Sequence, residues 1–224
     1  MNKYVTRALY GFAILIVGGA FAFKIFQPIQ VLPRIRLAPG FALTDQNGQR
    51  ITNEDLRGKL VLYTFLYTRC ESPCYNITDT VKEIQDRIDE ANLGRTQITY
   101  VTISFDPATD TPSTLKSFAE SLGANADLWT FATTTDASML KTIIGSGFEV
   151  YYEQKADSTF AFDPAYILVD GWGVIRGEYT YQTEVRTADR ILNHLGVLND
   201  EIQNATGSNK LAYEAAHLFL CYAP

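Results

Sequence analysis

Residues 65–77 read FLYTRCESPCYNI, and the fold turns on how this stretch is parsed. Its front half completes LVLYTFLY (60–67), an apolar run rich in β-branched and aromatic residues. That run has strand length and predicts a buried strand. Ser72-Pro73 then offers a helix cap followed by a proline at the first helical position. Ile77, Val81, Ile84 and Ile88 continue at helical spacing. Cys70 therefore falls at the end of a strand and Cys74 in the first turn of the next helix. Backbone N–H groups and the helix dipole converge there and favour thiolate over thiol. The C-x-x-x-C spacing can close a disulfide if Cys70 stays outside the helix, since the two Cβ atoms must come within about 3.8 Å. It also leaves room for two thiolates to hold a soft ion such as Cu(I). A pair of buried small hydrophobes is the bland alternative. The polar neighbours Arg69, Glu71 and Ser72 speak against it.

Strand and helix signals alternate on both sides. FALTDQNGQRIT (41–52) predicts a hairpin about Asn47-Gly48. ITYVTISF (98–105) predicts a second buried strand. Thr111-Pro112 repeats the cap-plus-proline opening, with Leu115, Phe118, Ala119 and Leu122 as the apolar face and Gly123 as the stop. LWTFATT (128–134) predicts a strand, 136–144 a helix, and FEVYYE (148–153) another strand. AYILVD (165–170) and VIRGEYTY (174–181) flank the turn Gly171-Trp172-Gly173, and a last helix runs from Thr187 to Leu195. This order is that of a thioredoxin-like α/β fold.

The ends carry different signals. ALYGFAILIVGGAFAF (8–23) holds no charge, with Lys3 and Arg7 before it and Lys24 after. Extended through Phe26, it approaches the about 20 residues that span a bilayer core. It exceeds the roughly 7–15-residue apolar region of a cleaved signal peptide, although Ala20-Phe21-Ala22 resembles a cleavage site. Residues 1–26 are thus expected to be a transmembrane helix, with 27–40 as a proline-bearing linker. The domain at 41–197 would lie on the periplasmic or extracytoplasmic side of the cytoplasmic membrane, because positive charge stays inside. That compartment tolerates disulfides. A net charge of −6 provides no basic surplus for nucleic acid. The tail 198–224 includes the largely apolar LAYEAAHLFLCYAP (211–224). It suits either a helix folded back on the domain or a surface for a membrane partner. Cys221 within it reads as a buried thiol.

The block VTISFDPATDTPSTLKSFAESLG (101–123), together with FLYTRCESPC and FEVYYE, resembles the SCO/SenC family over roughly residues 36–197. The resemblance implies a membrane-anchored thioredoxin-like protein linked to copper delivery to cytochrome c oxidase, with some members acting in thiol–disulfide chemistry. It implies Cys70 and Cys74 as copper ligands, completed by a distant histidine, and Asp106 and Asp110 on a loop beside the site. Aligned on Leu168-Val169-Asp170, the histidine position holds Phe162. The chain's histidines are His194 and His217 alone, and His194 reads as a half-exposed helix residue. Without the imidazole, stable Cu(II) binding should fail, while Cu(I) should still be held weakly. Pro164, before a buried strand, resembles the proline that faces the redox cysteines in thioredoxin-like reductases. Three readings follow: an oxidase assembly factor acting through Cu(I) or thiols, a metal-free thiol–disulfide oxidoreductase, and an accessory subunit of a respiratory membrane complex with a retired copper site.

Overall fold

In the computed structural model, residues 3–26, 29–70, 74–180 and 187–219 are described. The elements are α1 (Lys3–Phe26), β1 (Arg36–Leu37), β2 (Ala42–Asp45), β3 (Arg50–Thr52), β4 (Leu60–Leu66), α2 (Cys74–Asp86), β5 (Ile98–Ser104), α3 (Pro112–Ser121), β6 (Trp129–Thr133), α4 (Ala137–Leu140), β7 (Tyr152–Gln154), β8 (Phe160–Phe162), β9 (Ala165–Val169), β10 (Val174–Thr180), α5 (Thr187–Asn204) and α6 (Asn209–Phe219). They form two compact units, residues 34–199 and residues 1–33 with 200–224.

The larger unit is built on one mixed sheet in the order β1-β10-β9-β4-β5-β6-β2-β3. β4, β5 and β6 are parallel neighbours, and β9 runs antiparallel to β4. Every residue of β4 and β5 is buried. These are strands covered on both faces, hence their unbroken apolar character. Alternation along the strands separates the two faces. On one face Tyr63 and Phe65 of β4 pack on Phe148, with ring centroids 4.8 and 5.1 Å apart, and Phe41 meets Tyr63 at 6.1 Å. On the other, Phe131 meets Phe118 of α3, the Tyr166 hydroxyl of β9 donates to the Asn76 carbonyl of α2, and Tyr179 of β10 meets His194 of α5. The helical face hides a satisfied polar seam: Trp129 Nε1 donates to Thr102 Oγ1, which bonds Thr64 Oγ1 at 2.8 Å.

The hairpin about Gly48, at φ 77°, stands where the sequence placed it. Thr111 caps α3 through Thr114 N–H, with Pro112 opening the helix and Gly123, at φ 63°, following its end. Other expectations need correction. The helix expected over 136–144 is α-helical only to Leu140 and then widens into a π-type turn, Lys141–Gly147. The strand expected over 148–153 forms only from Tyr152, and it pairs with β8 outside the main sheet. The cause is local: Phe148 N–H and Val150 N–H donate back to the carbonyls of Ile143 and Ile144. Glu149 adopts a left-handed φ of 59°, which breaks the extended chain so that Phe148 can enter the core. The last helix continues past Leu195 to Asn204. β1 arises inside the proline-bearing stretch and pairs with β10.

In the smaller unit, α1 exposes Leu9, Tyr10, Phe12, Ile14, Leu15 and Val17, each by more than half. Among the described residues no helix is long and apolar enough to cross a membrane. α6 is held to the end of α5 by His217 Nε2 and Glu201 Oε1, 2.9 Å apart and both largely buried, with Ala216 fully buried beside them.

Phe148→Ala, emptying a fully buried site between Tyr63 and Phe65, lowers unfolding free energy by about 3–5 kcal/mol in urea titration. His194 is buried, not half-exposed, and its Nδ1 lies 2.7 Å from the Tyr179 hydroxyl. Burial, assisted by Arg190, lowers its pKa from 6.5 to about 4. Between these values the unfolded chain binds more protons than the folded one, so stability falls as pH drops from 6.5 toward 4, by about 3 kcal/mol in all. Unfolding midpoints measured across that range show the decline, and His194→Gln flattens it.

Candidate functional site

β4 ends at Leu66, and the chain turns at once: Cys70 N–H donates to the Tyr67 carbonyl at 3.1 Å. Cys70 is 7% exposed and disulfide-bonded. Cys74 is the first residue of α2, and its side chain lies outside the described residues. So do Ser72 and Pro73, expected to open that helix, and Cys221.

The turn before Cys70 is held by the acidic loop after β5. Asp110 is 1% exposed. Its carboxylate accepts from Thr68 N–H at 2.9 Å, from Thr68 Oγ1 at 2.5 Å and from Ser104 Oγ at 2.5 Å. Three hydrogen bonds thus tie this one carboxylate to the turn and to the end of β5. Asp106, equally buried, bonds Arg69 Nη2 through Oδ2 at 2.7 Å, while its Oδ1 has no hydrogen-bond partner. This bond, then the attraction of the same carboxylate, raises the Arg69 pKa above the ordinary arginine value. Arg69 also reaches the Ser158 carbonyl in the β7–β8 hairpin at 3.4 Å. The two aspartates thus fix the residues on which Cys70 is mounted.

Cys70 belongs to the same buried cluster as Tyr67, Phe105, Tyr152 and Phe160, with Phe162 packed against it. Tyr67 lies 5.0 Å from Phe160 and 6.3 Å from Phe162, and Phe105 lies 5.1 Å from Phe162, centroid to centroid. The β7–β8 hairpin therefore adds an aromatic wall to the buried cluster that includes Cys70. Phe162 sits in that wall, at the position where the family resemblance looks for a histidine. Pro164 immediately precedes β9, whose Tyr166 bonds α2 two residues past Cys74. Of the two histidines, His194 is committed to Tyr179 and His217 to Glu201. Among the described residues no group of three or more His, Cys, Asp or Glu could hold a metal ion.

Thr68, Ser104, Tyr67, Phe105 and Phe160 were not singled out from the sequence. Their roles depend on β4 and β5 being parallel and in register, Leu66 opposite Ser104, which no local motif encodes. The clamp predicts a stability effect. Asp110→Ala leaves buried donors unpaired and lowers unfolding free energy by about 3 kcal/mol, while Asp110→Asn, which keeps an acceptor oxygen, costs less. Chemical denaturation of the two variants checks the order.

The SCO1/SenC family model matches residues 31–196. The SCO1 protein homolog of Bacillus subtilis (strain 168) is 24% identical over 140 residues, which cover 62% of this chain and 71% of that protein. Among solved structures, BsSco, described as a Sco-family cytochrome c oxidase assembly protein with a disulfide switch, superposes with a TM-score of 0.63 at 22% identity, over 74% of this chain and 94% of that one. Arabidopsis thaliana ScoI with copper bound gives a TM-score of 0.61 at 20% identity, over 75% of this chain and 98% of that one. These likenesses show a shared thioredoxin-like α/β fold. The match of the family model over most of the chain, on that fold, makes this protein a member of the SCO1/SenC family.

Proposed function

We propose that the protein is a membrane-anchored, extracytoplasmic Sco factor serving respiratory oxidase assembly, with Cys70 and Cys74 as its working pair. The observation that carries this reading is the disulfide-bonded Cys70 at the mouth of a strand–helix junction. Cys74, four residues on at the start of α2, is the partner sulfur we infer. Relatives named for copper binding or a disulfide switch support the same chemistry here. The exposed apolar surface of α1 and the uncharged run at 8–23 support the anchor.

In the reduced state the two thiolates hold Cu(I) as cargo, which two soft ligands satisfy. Phe162 offers no nitrogen, so Cu(II), which prefers nitrogen and oxygen ligands, finds no complete set. The same pair can instead pass electrons. A thiolate attacks a client disulfide, a mixed disulfide forms, and the second cysteine displaces the client thiolate. Two electrons and two protons go to the client, and the pair ends oxidised. Pro164, entering β9 beside the first turn of α2, presents backbone to the client in this step.

Anaerobic titration tests the reading. The reduced protein takes up Cu(I), and Cys70→Ser or Cys74→Ser abolishes uptake; Cu(II) is not retained by the wild type. Phe162→His adds the missing ligand and confers Cu(II) retention. Failure of the reduced protein either to bind Cu(I) or to reduce a model disulfide would leave only an accessory role in a membrane complex.

A further inference from the structure

An apolar patch far from the cysteines in sequence is left unexplained by this chemistry. Trp172, at the tip of the β9–β10 turn, is 80% exposed. Leu37 of β1 is 70% exposed and Ile35, two residues earlier on the same side of the strand, 43%. Backbone pairing brings them together: Leu37 stands opposite Val174, and Ala38 N–H donates to the Gly173 carbonyl. Leu37, Arg57 and Gly173 line one shallow cleft, and the Arg57 guanidinium donates to the Trp172 carbonyl. The turn is rigid. Asp170 Oδ1 accepts from the N–H groups of Trp172 and Val174, and Asp170 Oδ2 pairs with buried Arg176. Gly171 lies so close to Gly58 that a Cβ would come within 3.0 Å of its backbone. The fold thus holds a tryptophan out in solvent beside aliphatic neighbours and Arg57, whose guanidinium also pairs with the Glu54 carboxylate at 3.2 Å.

We propose that this patch is a lipid-contact surface seating the domain on the outer leaflet of the bilayer that holds α1. The proposal rests on the anchoring reading above. Its composition suits the interface: an indole at headgroup level with aliphatic side chains beside it. The tether suits it too. Eight residues lie between Phe26, the last of α1, and Ile35, and a stretch of that length reaches at most about 30 Å. The patch lies on the first strand that follows the anchor in sequence.

The chain has two tryptophans, and Trp129 is 1% exposed, so Trp172 reports alone on the surface. The full-length protein is reconstituted into vesicles of phosphatidylcholine and phosphatidylglycerol, with plain or brominated acyl chains, and recovered by flotation. Brominated lipid should quench most of the Trp172 emission, Trp172→Phe should remove the quenchable component, and Leu37→Glu should reduce it. Protein that floats with the vesicles but shows the same emission in both lipids overturns the patch while leaving the anchor standing. Protein that does not float overturns both.

Discussion

The carboxylate of Asp110 is the tie on which the site depends. It closes the ends of β4 and β5, two parallel strands whose own ladder stops at Leu66 and Ser104. Beyond that point nothing in the sheet would hold Thr68, Arg69 and Cys70 in place. A single buried acidic group, bonded to the backbone and hydroxyl of Thr68 and to Ser104, replaces the missing ladder. A neutral acceptor would make shorter work of desolvation but weaker bonds. Asp106 extends the same logic outward by binding Arg69, which in turn reaches the β7–β8 hairpin. One loop after β5 thereby fixes both the floor and the side of the cysteine turn.

That dependence explains what could be read from residues alone. β4, β5 and β9 announced themselves because strands buried on both faces are largely apolar, and the caps at Thr111 and Gly123 use residues chosen for their backbone geometry. Segment 148–153 misled for a physical reason. Phe148 and Val150 alternate with polar neighbours as strand residues do, yet the left-handed turn at Glu149 and the return bonds to Ile143 and Ile144 send them into the core from a loop. His194 misled similarly. Its helix has an apolar face, and the hydroxyl that satisfies it, Tyr179, comes from β10, fifteen residues away in sequence. Cys70, Asp106 and Asp110 were legible as a motif, but the bonds that give the aspartates their work join elements that only the sheet register brings together.

Phe162 decides which chemistry the proposed pair can favour. A disulfide is neutral, and an aromatic wall of Tyr67, Phe105, Phe160 and Phe162 accepts it at no electrostatic cost. Two thiolates are not neutral, and burying their charge against the same wall is unfavourable unless a cation shares it. The adjacent guanidinium of Arg69 is already engaged by Asp106, which leaves the start of α2 and a bound monovalent metal as sources of positive charge. Cu(I) answers that need with two bonds and asks for no nitrogen, whereas Cu(II) asks for ligands this wall does not contain. On the proposed reading, a phenyl ring in place of an imidazole would remove one oxidation state of the cargo and favour the closed disulfide whenever the metal is absent. The proposed pair would then alternate between an oxidised, metal-free form and a reduced form that is stable chiefly while it carries its ion.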